Sequence, residues 1–347
     1  MKFYLKKVLK KIMNIHLWFI TVFCQHNNTN LRIYQKLRAI RYGFSNDLYS
    51  MYQLDKNNPN LYINEYIRMR TREIDGEYKT ILDNKLLFEQ LFSKYVQIPK
   101  TVIIITDNIY SVKDGIIKQE LLSKLLIKDK YIMKPISGTG GGYGVSLIKK
   151  IENSKYLFNE CELTGEQLYD KLKKYKNYIV SEYVNQHEYS NTINPYSVNT
   201  IRIITIKDPK TGDFIIPCAV HRFGSKKSGI VDNASAGGFI SNINIEKGIL
   251  LETKSFSNLK SIDKHPDTRA QINGIKIPHW EEIKSKLIEV AKQFPYIPFI
   301  AWDIVVTDDG FSIIEGNTSS GLNIFQIFGP IKNSKLGEFY KYYGYLK

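Results

Sequence analysis

Residues 301–317, AWDIVVTDDGFSIIEGN, constrain the fold of this chain more than any other stretch. Two runs rich in β-branched and aromatic residues flank Asp308-Asp309-Gly310, which reads as a three-residue hairpin loop with glycine where a left-handed residue is wanted. Pairing the runs about Asp309 sets Val305 against Ile313 and Asp303 against Glu315. The two-residue period then puts Asn317 on the face of Glu315. Carboxylates directly opposite each other repel. A cation held between them removes the repulsion, and two carboxylates plus an amide oxygen are hard ligands that favour Mg²⁺ or Mn²⁺ carrying nucleotide phosphates. The competing reading leaves the acids at frayed strand ends facing solvent.

A second stretch bears on the first. In YIMKPISGTGGGYG, residues 131–144, a short apolar run ends in Lys134 and Pro135, and five glycines (Gly138, Gly140, Gly141, Gly142, Gly144) follow within seven positions. Glycine lets backbone N–H groups approach an anion closely, so a strand leading into such a loop suits a lid over phosphates. The loop is not a Walker loop, because no Gly-Lys-Ser/Thr is present, and the dinucleotide fingerprint fails where Tyr143 takes the place of its third glycine. A protein kinase would place its glycine loop before its lysine and add HRD and DFG motifs, which this sequence lacks. Loop and hairpin together imply a site for a magnesium-bound nucleotide.

The chain has 347 residues, enough for two or three lobes with real cores. Its helical part runs to about residue 79. Residues 81–95 read as one amphipathic helix through Leu82, Leu86, Leu87, Leu91 and Phe92, and strands alternate with glycine turns in the C-terminal half. The net charge of +15 is scattered among acids rather than gathered on an aromatic-rich motif, which argues against nucleic acid and suits anionic small substrates. Cys24, Cys161 and Cys218 form no CxxC pair, so neither a disulfide framework nor a structural zinc is expected, and a cytoplasmic setting fits. Residues 1–24 hold five lysines and an apolar run too short to span a bilayer. As a helix they would align Leu9, Ile12, Ile15, Phe19 and Val22. Two readings stay open: peripheral contact with the inner, anionic face of a membrane, or packing on the rest of the protein.

Lysine-proline before a glycine-rich loop, the later SEYV and the terminal D…EGN hairpin resemble the ATP-grasp superfamily. The segments NTIRIITI, VDNASAGGF, HPDT with IPHW, and EGNTSSGLN are similar to its sugar-transfer-associated members, found among polysaccharide-assembly genes; the match runs from about Leu82 to Gln326. The resemblance implies an α+β ATP-grasp fold with two α/β lobes clamping ATP. It divides the chain into a basic helical N-terminal region (1–79), a small α/β lobe (80–130), a lid subdomain (131–187) and a C-terminal subdomain with the metal site (188–347). It further implies that Lys134 and Lys85 bind the nucleotide phosphates under the glycine loop. Glu182, Tyr183 and Val184 would read adenine, Glu188 would accept from the ribose hydroxyl, and Asp303, Glu315 and Asn317 would hold Mg²⁺ or Mn²⁺.

D-alanyl-D-alanine ligase carries an arginine two residues before its first metal aspartate, where this chain has Ala301. Arg202 and Arg222 are the candidates to supply that charge. The acceptor side is expected among His221, Asn233, Lys264 and His265, placed in loops between strands, with Ser319 and Ser320 as further hydrogen-bond donors. The resulting expectation is an ATP-dependent carboxylate–amine ligase working through an acyl-phosphate, joining an amino acid or amine to a sugar carboxylate in surface polysaccharide assembly. A sugar or hydroxyl phosphotransferase, or a non-catalytic nucleotide-binding partner of a glycosyltransferase, stays open beside it.

Overall fold

The computed structural model describes residues 31–346 apart from 113, 114, 139, 153, 154 and 257, together with 12, 13, 15, 16, 18–20 and 22. Two antiparallel sheets organise the chain. The first holds β1 (Thr101–Ile105), β2 (Ile109–Ser111), β3 (Gly115–Ile116), β4 (Lys130–Pro135), β5 (Ser146–Glu152), β6 (Lys155–Phe158), β7 (Cys161–Thr164) and β8 (Tyr178–Glu182), in the order β3-β2-β1-β8-β4-β5-β6-β7. Because β1 pairs with β8, and β8 with β4, the strands expected in separate units either side of residue 130 share one continuous sheet.

The second sheet holds β9 (Ile201–Lys207), β10 (Phe214–Phe223), β11 (Phe239–Asn244), β12 (Ile249–Ser255), β13 (Ser261–Ile262), β14 (Phe299–Thr307) and β15 (Gly310–Asn317), in the order β13-β12-β11-β10-β9-β14-β15. Its central strand, IRIITIK, is buried on both faces, which is why it reads as a run rather than an alternation. Ile201, Ile203, Ile300, Trp302 and Ile304 pack on one face, against Leu287 and Val290 of the helix Trp280–Gln293. Ile204, Ile206, Phe299 and Ala301 pack on the other, against Phe325, Leu336 and Phe339 and the N-terminal Ile63 and Ile74. Residues around Ile63 and Ile74 are therefore built into the core of the second sheet, while Ala39, Phe44, Tyr49, Tyr52 and Leu54 form a cluster of their own.

The expected helix over 81–95 is broken. Helices Lys79–Asp83 and Lys85–Phe92 meet at Asn84, whose side chain accepts from Leu86 N (3.0 Å) and Leu87 N (3.2 Å) as an N-cap. Asn84 also bridges to Ser137, and Lys85 N donates to Ile136 O at 2.9 Å. A periodicity count misses this break, because a single capping residue leaves the apolar spacing intact. The break fastens Lys85 to the end of the strand that carries Lys134.

Candidate functional site between the two sheets

The hairpin confirms the central pairing by a different route. Thr307 pairs with Gly310, so the turn has two residues rather than three, and Val305 faces Ser312 instead of Ile313. A register shift between Asp303 and Ile304 then adds one residue on β15, and Asp303 faces Glu315 and Ala301 faces Asn317 as expected. The bulge at Ile314 turns Glu315 away from the face on which Phe311 and Ile313 are packed and onto that of Asp303.

On that face the apolar cover stops at Ala301 and Ile204, and polar residues take over. Arg202, the register partner of Asp303, donates Nε to its Oδ1 and Nη2 to Oδ2 at 2.9 Å, while Nη1 reaches Ser320 Oγ at 3.1 Å. Arg222 arrives from β10 with Nη2 at 2.9 Å from Asp303 Oδ2 and Nε at 2.9 Å from Thr200 Oγ1. Asp232 closes the group, accepting from Thr200 N (2.8 Å) and lying 3.4 Å from Arg222. Burial alone would raise the Asp303 carboxyl, but the two guanidiniums outweigh it and hold its pKa at about 2. For Arg222, burial works against the charge, and Asp232, Asp303 and Glu315 more than restore it. Asp232 itself is raised, burial outweighing Arg222. Sequence reading missed Asp232 and Thr200, although the even-numbered alternation of Thr200, just before β9, with Arg202 and Ile204 was available.

The first sheet supplies the opposite wall. Lys134 is 8% exposed and donates Nζ to Ile314 O at 3.3 Å; burial draws its pKa down to about 8, with Glu315 pulling upward and Lys85 downward. Lys85 Nζ lies 3.3 Å from Glu315 Oε2. Lys85, Lys134, Arg202 and Arg222 thus converge with Asp232, Asp303 and Glu315, and Asp83 and Glu89 also act on the two lysines. The glycine loop covers this region: Asn233 Nδ2 donates to Gly141 O at 2.7 Å, and at Gly142, where φ is +75°, a Cβ would stand 2.7 Å from Val231. Only glycine lets the loop lie so close. Beneath, Asp75 is buried, accepting from Phe299 N (3.2 Å) and from Thr318 Oγ1 (2.7 Å) next to Asn317, and burial pushes its pKa up to about 7.

Asp303 and Glu315 would offer carboxylate oxygens and Asn317 an amide oxygen to a hard divalent ion; in this structure Arg202 and Arg222 engage both Asp303 oxygens. Asp303 and Glu315 face each other across the ladder, and Asn317 donates its Nδ2 to Ala301 O at 3.3 Å, orienting the amide beside them. Among the described residues no group of three or more His, Cys, Asp or Glu side chains is placed to hold a metal. Residues 64–334, more than three quarters of the chain, match the sugar-transfer associated ATP-grasp family. The chain belongs to that family.

No curated protein matches this ATP-grasp chain. Among solved structures, it is similar to the ADP complex of PurK, N5-carboxyaminoimidazole ribonucleotide synthetase (11% identity, TM-score 0.40, covering 70% of this chain and 46% of that one). It is also similar to the ATP-grasp ligase PsnB complexed with minimal precursor, Mg and ADP (13%, 0.38, 75% and 60%) and to D-alanine–D-alanine ligase from Helicobacter pylori (13%, 0.40, 76% and 58%). The chain spans about half to three fifths of the length of these proteins.

The remaining expected residues divide. In this ATP-grasp chain Glu182 ends β8 and pairs with Lys128 at 2.7 Å; Tyr183 lies under Lys130, 5.1 Å from its ring centre, and Val184 is half-buried. Glu188 is exposed at the start of the helix Glu188–Ile193, just after His187 N bonds Val306 O to join the two sheets. His221 does not lie in a loop. It sits within β10 on the face opposite Arg222, stacked on Phe223 and 2.8 Å from Tyr189 Oη, and burial pushes its pKa down to about 3. Its neighbours Ala219 and Phe223 share that core face, a parity signal present in the sequence. His265 is also buried, 2.9 Å from Gly224 O, while Lys264 is exposed in an isolated bridge with Gln271. Ser320 is an acceptor for Arg202, and Ser319 is half-buried.

Among the N-terminal segment's described residues some pack and some do not: Trp18 meets Tyr66 edge-on, with ring centres 6.4 Å apart. Of the segment's expected apolar face, Ile12, Ile15 and Phe19 are 57%, 45% and 47% exposed, Val22 is buried, and Leu9 lies outside the described residues. No described helix is long and apolar enough to cross a membrane.

Proposed function

We propose that the chain is an ATP-dependent carboxylate–amine ligase that joins an amine or amino acid to a sugar carboxylate in the assembly of a surface polysaccharide. The observation that carries this reading is the convergence of Lys85, Lys134, Arg202 and Arg222 on the facing Asp303 and Glu315, under a glycine loop touching the opposite lobe. Asp303, Glu315 and Asn317 would hold Mg²⁺, or Mn²⁺, which when bound neutralises charge on the nucleotide phosphates.

Lys134 and Lys85 would grip the phosphates from the wall of the first sheet, and Glu182, Tyr183 and Val184 would receive the base, with Glu188 at the ribose. The substrate carboxylate attacks the γ-phosphorus in line, the bond to the β-phosphate oxygen breaks, and an acyl-phosphate and ADP result. The amine then displaces phosphate. Arg202 and Arg222 would stabilise the oxyanion, taking the part that Ala301 cannot. The glycine loop keeps water from the acyl-phosphate.

The test is product analysis with ATP, Mg²⁺ and a panel of uronic acids and nucleotide-linked uronic acids, with and without amino acids. An amide adduct that requires both substrates and disappears in Glu315→Gln is the expected result. A phosphorylated product formed without amine would replace the ligase by a phosphotransferase, and ATP binding without turnover would point to a nucleotide-binding partner of a glycosyltransferase.

A further inference from the structure

The first 46 residues contain six lysines, three arginines and no aspartate or glutamate, so they hold nine of the chain's net charge of +15. The same segment turns apolar side chains outward. Ile12 and Met13 are 57% and 54% exposed, and Ile15 and Ile20 are 45% and 41%. On the helix Ile33–Tyr42 the usual arrangement is reversed. Small Ala39 is its buried residue, whereas Ile33, Tyr34 and Leu37 are 78%, 57% and 63% exposed. Ile33 and Leu37 are one turn apart, as are Leu37 and Arg41, so they form one stripe, with Arg32, Lys36 and Arg41 exposed around it. A helix that buries alanine and presents isoleucine and leucine to water has its apolar face turned toward something outside the folded chain.

We propose that this segment is a footing on an anionic lipid surface, with the Ile33–Leu37 stripe and the exposed Ile12, Met13, Ile15 and Ile20 entering the headgroup boundary. Charge selects this occupant. A second copy would set one acid-free basic segment against another, and nucleic acid would meet the lysines and arginines but offers no apolar phase to Ile33 and Leu37. Acidic headgroups over acyl chains answer both features at once.

Full-length protein sedimented with phosphatidylcholine vesicles, with and without phosphatidylglycerol, tests this. Binding is expected only with the anionic lipid and is weakened by salt. Lys36→Gln and Arg41→Gln should each lower the partition coefficient about fivefold, the equivalent of about 1 kcal/mol per basic residue near the surface. Ile33→Glu with Leu37→Glu should abolish it while leaving nucleotide binding unchanged, since neither residue is at the cleft. Absence of binding to anionic vesicles, equal binding to pure phosphatidylcholine, or binding indifferent to these substitutions overturns the proposal. So does a concentration-dependent dimer, or an RNA complex, that the same substitutions abolish without any effect on vesicles.

Discussion

Asp75→Asn should stabilise the protein, and by an amount that depends on pH. The Asp75 carboxyl is 2% exposed and its pKa is raised from 3.8 to about 7, first by burial, against the opposing hydrogen bonds from Thr318 and Phe299. A proton is therefore bound more tightly in the folded than in the unfolded state. Between the two pKa values the folded protein holds more protons, and stability falls as pH rises. A shift of about three units corresponds to about 4 kcal/mol. Asparagine mimics the protonated acid: its oxygen can accept from Phe299 N and its amide can donate to Thr318 Oγ1. Urea unfolding followed by tryptophan fluorescence suits the test, since Trp280 and Trp302 lie in the core of the second sheet. The variant's advantage should be near zero below about pH 4, grow by about 1.4 kcal/mol per unit, and level off above about pH 7. An advantage that is constant with pH, or that grows toward acid, would refute the reasoning.

Asp303→Asn should cost about 3–5 kcal/mol in unfolding free energy, because Arg202 loses its carboxylate and Arg222 keeps only Asp232; urea titration measures it. Lys134→Met should remove turnover but leave stability unchanged or raised, since burial already penalises the ammonium. In the wild type, calorimetry should show ADP affinity declining as pH rises through about 8, where the Lys134 ammonium is lost. Gly142→Ala places a methyl against Val231 at a positive φ, costing about 1–2 kcal/mol locally, so kcat should fall about tenfold or more while the urea midpoint stays put. Adding Val231→Ala should recover part of that activity, and no recovery would show that the contact does not matter.

The pairing of Asp303 with Glu315 was legible because a strand has only one period, yet the turn that was meant to set it was misjudged by one residue. The bulge at Ile314 cancels that error, and no propensity in SIIEG announces a bulge. Lys85 was legible through family resemblance, but the reason for its position, the capped break at Asn84, is a tertiary matter: the helix stops where Ser137 and Ile136 take its backbone. His221 was misplaced because a histidine draws attention to chemistry, whereas its alternation with Ala219 and Phe223 marked the core face. Asp232 could not be read at all. A lone acid in a glycine-rich loop acquires meaning only when Thr200 and Arg222, from two other strands, fold against it.

Asp232 and Asn233 are consecutive, and they face opposite ways: one holds Thr200 and Arg222 on the floor of the cleft, the other holds the Gly141 carbonyl in its roof. Floor and roof are thus hinged to a single peptide unit. The Arg222 guanidinium and the Gly141 carbonyl, far apart in the sequence, are both anchored on the one peptide that joins Asp232 to Asn233.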